Sequence, residues 1–237
     1  MDGHALLERL AAEPRLAALF FDLDGVLAPI VARPEAAVVP TETRSELERL
    51  VGRYALVAVV TGRDGDDARA RVGVEGIVCV GSHGLELEPS AEAWAERLQA
   101  FAATVDWPLE RKRLTVAFHY RTADDEQEAR RTLEAVAERA RAEGFVARFG
   151  RKVLEVLPPL EADKGTAVTH LLAERGLLRS LYAGDDITDL DGFRALDGLE
   201  LAVRIAVASP EGPPALREAA DVVVESPAAL LDLLRKL

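Results

Sequence analysis

The 237-residue sequence predicts an α/β protein, a parallel sheet flanked by helices and interrupted by a smaller inserted α/β domain. Three observations carry that expectation. Short apolar runs ending in small or polar residues alternate with helical stretches at both ends of the chain. A middle block changes the pattern to two helices and four alternating segments. The original βα alternation then resumes after Pro158-Pro159.

The elements follow in order. Ala17-Ala18-Leu19-Phe20-Phe21 is the first strand and leads into Asp22-Leu23-Asp24-Gly25. A helix over Thr41 to Val51, with Leu47, Leu50 and Val51 on one face, precedes the strand Tyr54 to Val60. That strand ends in Thr61-Gly62-Arg63. A helix over Asp64 to Arg71 precedes the strand Gly76 to Val80, which ends in Gly81-Ser82-His83-Gly84. Unalternated apolar runs between helices are what a sheet buried on both faces requires.

The middle block opens with a helix over Ala91 to Ala103. Strands Pro108 to Lys112 and Leu114 to Tyr120 follow, turning at Lys112-Arg113. A charged helix, Asp124 to Glu143, carries the apolar stripe Ala129, Leu133, Val136 and Ala140. Strands Phe145 to Phe149 and Lys152 to Leu157 turn at Gly150. The order αββαββ predicts an antiparallel sheet with two helices on one face.

Beyond Pro159, Asp163 to Arg175 reads as a helix stopped by Gly176. The strand Leu181-Tyr182-Ala183 runs into Gly184-Asp185-Asp186. Strands at Leu201 to Val207 and Val222 to Val224 and a helix at Pro227 to Leu237 complete the chain. The expected organisation is a core of residues 1–88 and 160–237 around an inserted domain of residues 89–159.

Composition narrows the function classes. With 29 Lys+Arg against 41 Asp+Glu, the formal net charge of −12 disfavours nucleic acid and anionic membrane as partners. No apolar run approaches the roughly 18 residues that span a bilayer, and Met1 to Leu10 lacks an apolar signal core. The single cysteine, Cys79, makes no internal disulfide or Cys-based zinc site and reads as inert core. The expectation is a cytoplasmic monomer.

Asp22-Leu23-Asp24-Gly25 directly follows a strand, and in open α/β sheets ligands bind beyond the carboxyl ends of strands. Two carboxylates beside a glycine that permits a tight bend can serve one site in different roles, one attacking phosphorus and one moving protons. The bland alternative is an ordinary Asp-Gly turn. Gly184-Asp185-Asp186-Ile187-Thr188-Asp189 adds three carboxylates after another strand, although Thr188 or Asp186 also suits a helix N-cap. Two acidic strand ends at one sheet edge repel unless a cation lies between them, and hard oxygen ligands suit Mg²⁺ beside a phosphate. Thr61-Gly62-Arg63 offers a hydroxyl and N–H groups to a phosphoryl oxygen at a helix N-terminus, or is a plain turn. Lys164 starts a helix, where the dipole disfavours a cation unless it faces an anion.

Taken in order, Asp22-x-Asp24-Gly25, Thr61, Lys164 and Gly184-Asp185-Asp186-x-x-Asp189 resemble the four motifs of the haloacid dehalogenase superfamily. Within it, the chain resembles the trehalose-6-phosphate phosphatases. Thr61-Gly62-Arg63, Gly81-Ser82-His83-Gly84, His119-Tyr120-Arg121, Gly150-Arg151-x-x-x-Glu155 and Asp163-Lys164-Gly165 carry that narrower resemblance, together with Gly184-Asp185-Asp186-x-Thr188-Asp189. It spans about Leu19 to Phe193.

The resemblance implies a Rossmann-like core with an inserted cap of the C2 type, and Mg²⁺-dependent hydrolysis of trehalose 6-phosphate through an aspartyl-phosphate. It implies Asp22 as nucleophile, Asp24 as acid and then base, and Thr61 and Lys164 as holders of the phosphoryl group. Mg²⁺ would be held by Asp22, the Asp24 backbone carbonyl and Asp185, with Asp189 in support. Gly62, Arg63, His83, His119, Arg121, Arg151 and Glu155 would contact the sugar phosphate.

Four positions depart from the family pattern. Val26 replaces a threonine and Leu190 a glutamate. Arg151 stands where a sugar-binding lysine is expected, and Leu157 where a basic residue precedes the proline. The last two fall in the cap, so they bear on substrate rather than chemistry. The rival readings are another sugar or pseudo-disaccharide phosphate as substrate, a phosphomutase, and a catalytically dead regulator that binds sugar phosphate. No Gly-x-Gly-x-x-Gly follows the first strand, against a dinucleotide enzyme.

Overall fold

Among the elements of the computed structural model, which describes residues 3–31, 33–150, 152–209 and 212–237, the first is α1 (Gly3–Ala12). It is followed by β1 (Ala17–Phe21), α2 (Thr41–Arg53), β2 (Leu56–Val60), α3 (Gly65–Val72) and β3 (Val78–Val80). Next come α4 (Glu92–Ala103), β4 (Leu109–Arg111), β5 (Val116–His119), α5 (Glu126–Ala142), β6 (Val146–Gly150) and β7 (Val153–Leu157). The chain ends with α6 (Lys164–Arg175), β8 (Arg179–Gly184), α7 (Asp189–Arg194), β9 (Leu201–Val207), α8 (Pro214–Ala219), β10 (Val222–Val224) and α9 (Pro227–Leu234).

These elements form two compact units, Met1–Gly84 with Ala162–Leu237, and Leu85–Glu161. The larger unit holds six parallel strands in the order β10-β9-β8-β1-β2-β3. Every residue of β1 and β2 is buried, because helices cover both faces of the sheet. From β1 the chain proceeds to β2 and β3 on one side, whereas β8, β9 and β10 extend the sheet on the other. The gap between β1 and β8 is therefore a topological switch point, where loops leave in opposite directions and open a crevice. Phe21 aligns with Ala183 on β8 and with Val59 on β2, so the three carboxyl ends lie side by side.

The smaller unit holds an antiparallel sheet in the order β4-β5-β7-β6. Val116 and Phe118 on β5, with Leu154 and Val156 on β7, pack with Leu98 and Phe101 of α4 and Leu133 and Ala137 of α5. Strand residues alternate faces, so the partners Glu110, Ala117, Glu155 and Arg148, which align across the four strands, lie on the other face. His119, two residues beyond Ala117, shares that face.

The structure adds two short helices that the sequence reading lacked, α1 and α8, and gives bounds to α7, which that reading raised only through its N-cap candidates. Leu6, Leu7 and Leu10 of α1 are buried at helical spacing, a signal the sequence did carry. The apolar stripe of α5 also shifts slightly. Ala137 is fully buried and Val136 only partly so, because Ala129, Leu133, Ala137 and Ala140 are the residues whose spacing follows one face.

Candidate active site

The site is built on the carboxyl ends of β1, β2 and β8. The Asp22 N–H donates to the Ala183 carbonyl at 3.0 Å, which carries the ladder one residue past β1 and pins Asp22 beside β8. The chain then turns at once. Ala28 N–H donates to Leu23 O (2.8 Å) and Gly25 N–H to Ala28 O (2.7 Å). Gly25 has φ +84°, and a Cβ there would lie 2.3 Å from Asp185 Oδ2, so the two acidic loops approach too closely for any side chain between them.

Asp189 organises the second loop. Fully buried, it accepts four hydrogen bonds. Asp185 N–H and Asp186 N–H donate to Oδ2, both at 2.9 Å, and Tyr182 OH (2.8 Å) and Lys164 Nζ (2.7 Å) donate to Oδ1. Thr188 stands at the N-cap of α7 without a side-chain capping bond, and Asp186 Oδ1 accepts from Ile187 N–H. The carboxylate that holds this loop is thus Asp189, directly after Thr188 and three residues after Asp186, the two cap candidates of the sequence reading.

Lys164 is the first residue of α6, 2% exposed, with Nζ 3.0 Å from Asp22 Oδ1 and 2.7 Å from Asp189 Oδ1. A capping box fixes the helix start. Thr166 N–H donates to Asp163 Oδ1 (2.8 Å), and Asp163 N–H donates to Thr166 Oγ1 (3.0 Å). Burial by itself would pull the lysine pKa down; Asp189 and Asp22 outweigh it and hold the group charged, with its pKa far above the ordinary value. For Asp22 the balance runs the other way. Burial pushes its carboxyl well above the usual carboxylate range, Lys164 opposes that, and the neighbouring carboxylates of Asp189, Asp185 and Asp24 add to it.

One oxygen from each of Asp22, Asp185 and Asp189 lies within 4.8 Å of the others, and all three residues are buried. One lysine faces these three carboxylates, and burial together with the neighbouring carboxylates disfavours the charged form of Asp22. An all-carboxylate, hard-oxygen donor set fits a divalent cation such as Mg²⁺ in charge and in ligand type. Asp189 has both oxygens engaged by other donors, so Asp22 and Asp185 are the better ligands and Asp189 the support behind them.

Asp24 points elsewhere. Arg63 grips it with two hydrogen bonds, Nε to Oδ2 at 2.6 Å and Nη2 to Oδ1 at 2.7 Å. Arg63 thus meets the carboxylate expected to move protons, a partner the sequence reading did not foresee. Thr61 is buried and Gly62 is covered by His83, whose Nε2 would lie 2.5 Å from a Cβ at that glycine. The loop bearing His83 is clipped to β2, with His83 N–H donating to Thr61 O (2.9 Å) and Ser82 N–H to Arg63 O (2.7 Å). Ser82 and His83 both take left-handed backbone, φ 51° and 55°, at a cost of about 1–2 kcal/mol each. Strain of that kind concentrates at functional sites. Asp22, Thr61, Gly62, Arg63, His83, Lys164, Asp185 and Asp189 all belong to the larger unit.

The remaining predicted residues that are described, His119, Arg121 and Glu155, lie in the smaller unit. His119 is exposed, its Nε2 2.9 Å from Glu110 Oε2. Glu155 is part-buried, with Oε1 3.5 Å from Lys112 Nζ. Arg121 is exposed, and Arg151 lies outside the described residues. Glu110, Lys112 and Arg148 share the polar face with Glu155; the sequence reading took Lys112 as part of a basic turn and missed Glu110 and Arg148, although the pleat of Leu109-Glu110-Arg111-Lys112 places Glu110 and Lys112 together. Tyr182 was also missed, since a tyrosine in an apolar strand reads as core. Trp107 is held locally, its Nε1–H donating to His119 O at 2.9 Å.

The sequence matches the family described as Trehalose-phosphatase over residues 20–108 and 104–226. It is 38% identical over 208 residues to a trehalose-phosphate phosphatase of Mycobacterium avium, covering 76% of this chain and 51% of that protein. It is 35% identical over 227 residues to an uncharacterized glycosyl hydrolase of Mycobacterium tuberculosis, covering 85% of this chain but 17% of that protein. The chain thus spans about half, or less, of the length of these relatives. In fold it is similar to the C-terminal domain of C. albicans trehalose-6-phosphate phosphatase, with a TM-score of 0.78 at 21% identity, covering 99% of this chain and 95% of that one. Among the described residues, no helix is long and apolar enough to cross a membrane.

Proposed function

Because the chain belongs to the trehalose-phosphatase family, we propose that it hydrolyses trehalose 6-phosphate to trehalose and inorganic phosphate, as a cytoplasmic monomer. The observation that carries this reading is Lys164, buried between Asp22 and Asp189 at the switch point of the sheet. A buried cation next to a carboxylate at strand ends suits a transferring phosphoryl group, whose reaction needs in-line positioning and neutralised oxygens.

In this reading the Asp22 carboxylate attacks phosphorus and the bond to the sugar oxygen breaks, leaving an aspartyl-phosphate. Asp24 gives a proton to the departing oxygen. It then takes one from the water that attacks phosphorus and frees Asp22. Lys164 and the Thr61 hydroxyl hold phosphoryl oxygens. Asp22, Asp185 and the Asp24 carbonyl would hold Mg²⁺, which when bound supplies charge neutralisation. Asp189 keeps Lys164 and the loop after β8 in register. Gly62 and His83 line the phosphate side, and Arg63 serves Asp24. The sugar contacts that the family resemblance assigns to His119, Arg121, Arg151 and Glu155 are part of the same proposal.

A phosphate-release screen over sugar phosphates tests the assignment. Trehalose 6-phosphate should be turned over best, and the Asp22→Asn protein should release none. Glu155→Ala should lower kcat/KM for trehalose 6-phosphate at least about tenfold more than for a small aryl phosphate, since losing a partner for a sugar hydroxyl discriminates strongly. Equal losses on both would make Glu155 structural. One observation favours a second reading, a phosphatase for another sugar or pseudo-disaccharide phosphate. Leu157, where relatives are expected to carry a basic residue, is 2% exposed and offers no charge. A wild type no better on trehalose 6-phosphate than on glucose 6-phosphate would put that reading first.

A further inference from the structure

Arg63 meets Asp24 through one edge of its guanidinium, Nε and Nη2. The remaining nitrogen, Nη1, lies 3.2 Å from Asp67 Oδ2 on α3. That same oxygen accepts from Arg71 Nε at 2.7 Å. Arg71 is in turn tied to the connection between β1 and α2, Nη1 donating to Glu35 O (3.1 Å) and Ala37 O (2.7 Å). The result is a line of alternating charge, Asp24, Arg63, Asp67, Arg71, anchored at its far end on backbone carbonyls.

The two arginines are the better-buried members, with side chains 12% and 17% exposed. A guanidinium that far out of water needs its donors matched on every side. Asp67 is the only member with a contact to both arginines among those described. Burial raises its pKa, but hydrogen bonds from Arg71 and Arg63 outweigh that and hold the carboxyl below the ordinary value, so it is ionised where the enzyme works. Asp66, its neighbour on α3, is 96% exposed and pairs along the helix with Arg69. The chain spends one of two adjacent aspartates on this line.

We infer that Asp67 is a positioning residue for the reaction. By holding Nη1, it fixes the roll of the Arg63 plane, and the fixed plane holds the Asp24 carboxylate in a single orientation at the end of β1. The inference rests on the role assigned to Asp24 above. Proton transfer to a leaving oxygen requires the donor within hydrogen-bond reach, and a misplacement of about 1 Å can cost on the order of a hundredfold. Arg63 cannot do this by charge alone. A lysine in its place would be a point charge without the fork.

The test uses two esters of nearly equal size, phenyl phosphate and p-nitrophenyl phosphate, with the whole chain and Mg²⁺ present. Their kcat/KM values include departure of the phenol, and only the poorer leaving group needs a proton from Asp24. Asp67→Asn should lower kcat/KM on phenyl phosphate about tenfold and on p-nitrophenyl phosphate by less than about twofold, a split that loss of binding or folding would not produce. Arg63→Lys should show the same split, more strongly, and supplies the answer should Asp67→Asn fail to fold. Asp66→Asn removes the same charge from the same helix and should change neither value. Equal losses on the two esters, or none, with an active wild type would overturn the role of Asp67 and leave the proposed reaction standing. A wild type inactive on every phosphate ester would overturn both.

Discussion

At the scale of single residues, Asp22 and Asp189 are both buried carboxylates within reach of Lys164, yet their surroundings make opposite demands. Asp22 has one cation and several like charges around it, so burial and repulsion both disfavour its ionised form. Asp189 receives four donors and repels little that is not compensated. Asp22→Asn should therefore reduce turnover below a few per cent while leaving the urea midpoint within experimental error of wild type. Asp189→Asn should lower stability by about 3 kcal/mol, because an amide cannot accept from four donors and leaves Lys164 less compensated. Urea denaturation of the two proteins distinguishes the cases. Similar midpoints would show that Asp189 is not the organising acceptor.

At the scale of elements, the position of Lys164 depends on how α6 begins. A cation at the first helical residue opposes the helix dipole, and the capping box of Asp163 and Thr166 offsets that by satisfying exposed N–H groups. Asp163→Ala should cost about 1 kcal/mol of stability by denaturant titration, the usual value of such a cap. It should also lower kcat/KM, since the frayed first turn carries Lys164. A stability loss with unaltered kinetics would mean that Asp22 and Asp189 alone hold the lysine. The antiparallel sheet of the smaller unit shows a different division of labour. One face packs Val116, Phe118, Leu154 and Val156 against two helices, and the other carries Glu110, His119, Glu155 and Arg148.

At the scale of the whole molecule, the buried cluster of Asp22, Asp185 and Asp189 places a charge excess inside the larger unit. A divalent cation that binds the folded chain and not the unfolded one stabilises it by mass action, about 2.7 kcal/mol at a hundredfold excess over Kd. In a domain of this size that corresponds to a rise in Tm of several degrees. Thermal melts should thus show stabilisation by Mg²⁺, its reversal by EDTA, and a much smaller shift for Asp185→Asn. Phosphatase activity should fall with the same chelation. An identical Tm with and without Mg²⁺ would count against the cluster as a metal centre.

The sequence by itself determined the alternation of strands and helices, the change to an antiparallel block, and the presence of chemistry-bearing residues where strands end. These are legible because periodicity and turn residues are local properties, written within a few positions of one another. The six-residue helices α7 and α8 were less legible, since so few residues give periodicity little room and tertiary packing supplies most of their stability. What only the tertiary structure decided is the pairing. Asp24 and Arg63 are 39 positions apart, Asp22 and Lys164 far more, and neither pair follows from spacing. The switch point decides them, because a parallel sheet that grows in both directions from β1 brings the ends of β1, β2 and β8 together regardless of their distance along the chain. Only there do the close approach at Gly25, the four donors on Asp189 and the line from Asp24 to Arg71 come into being.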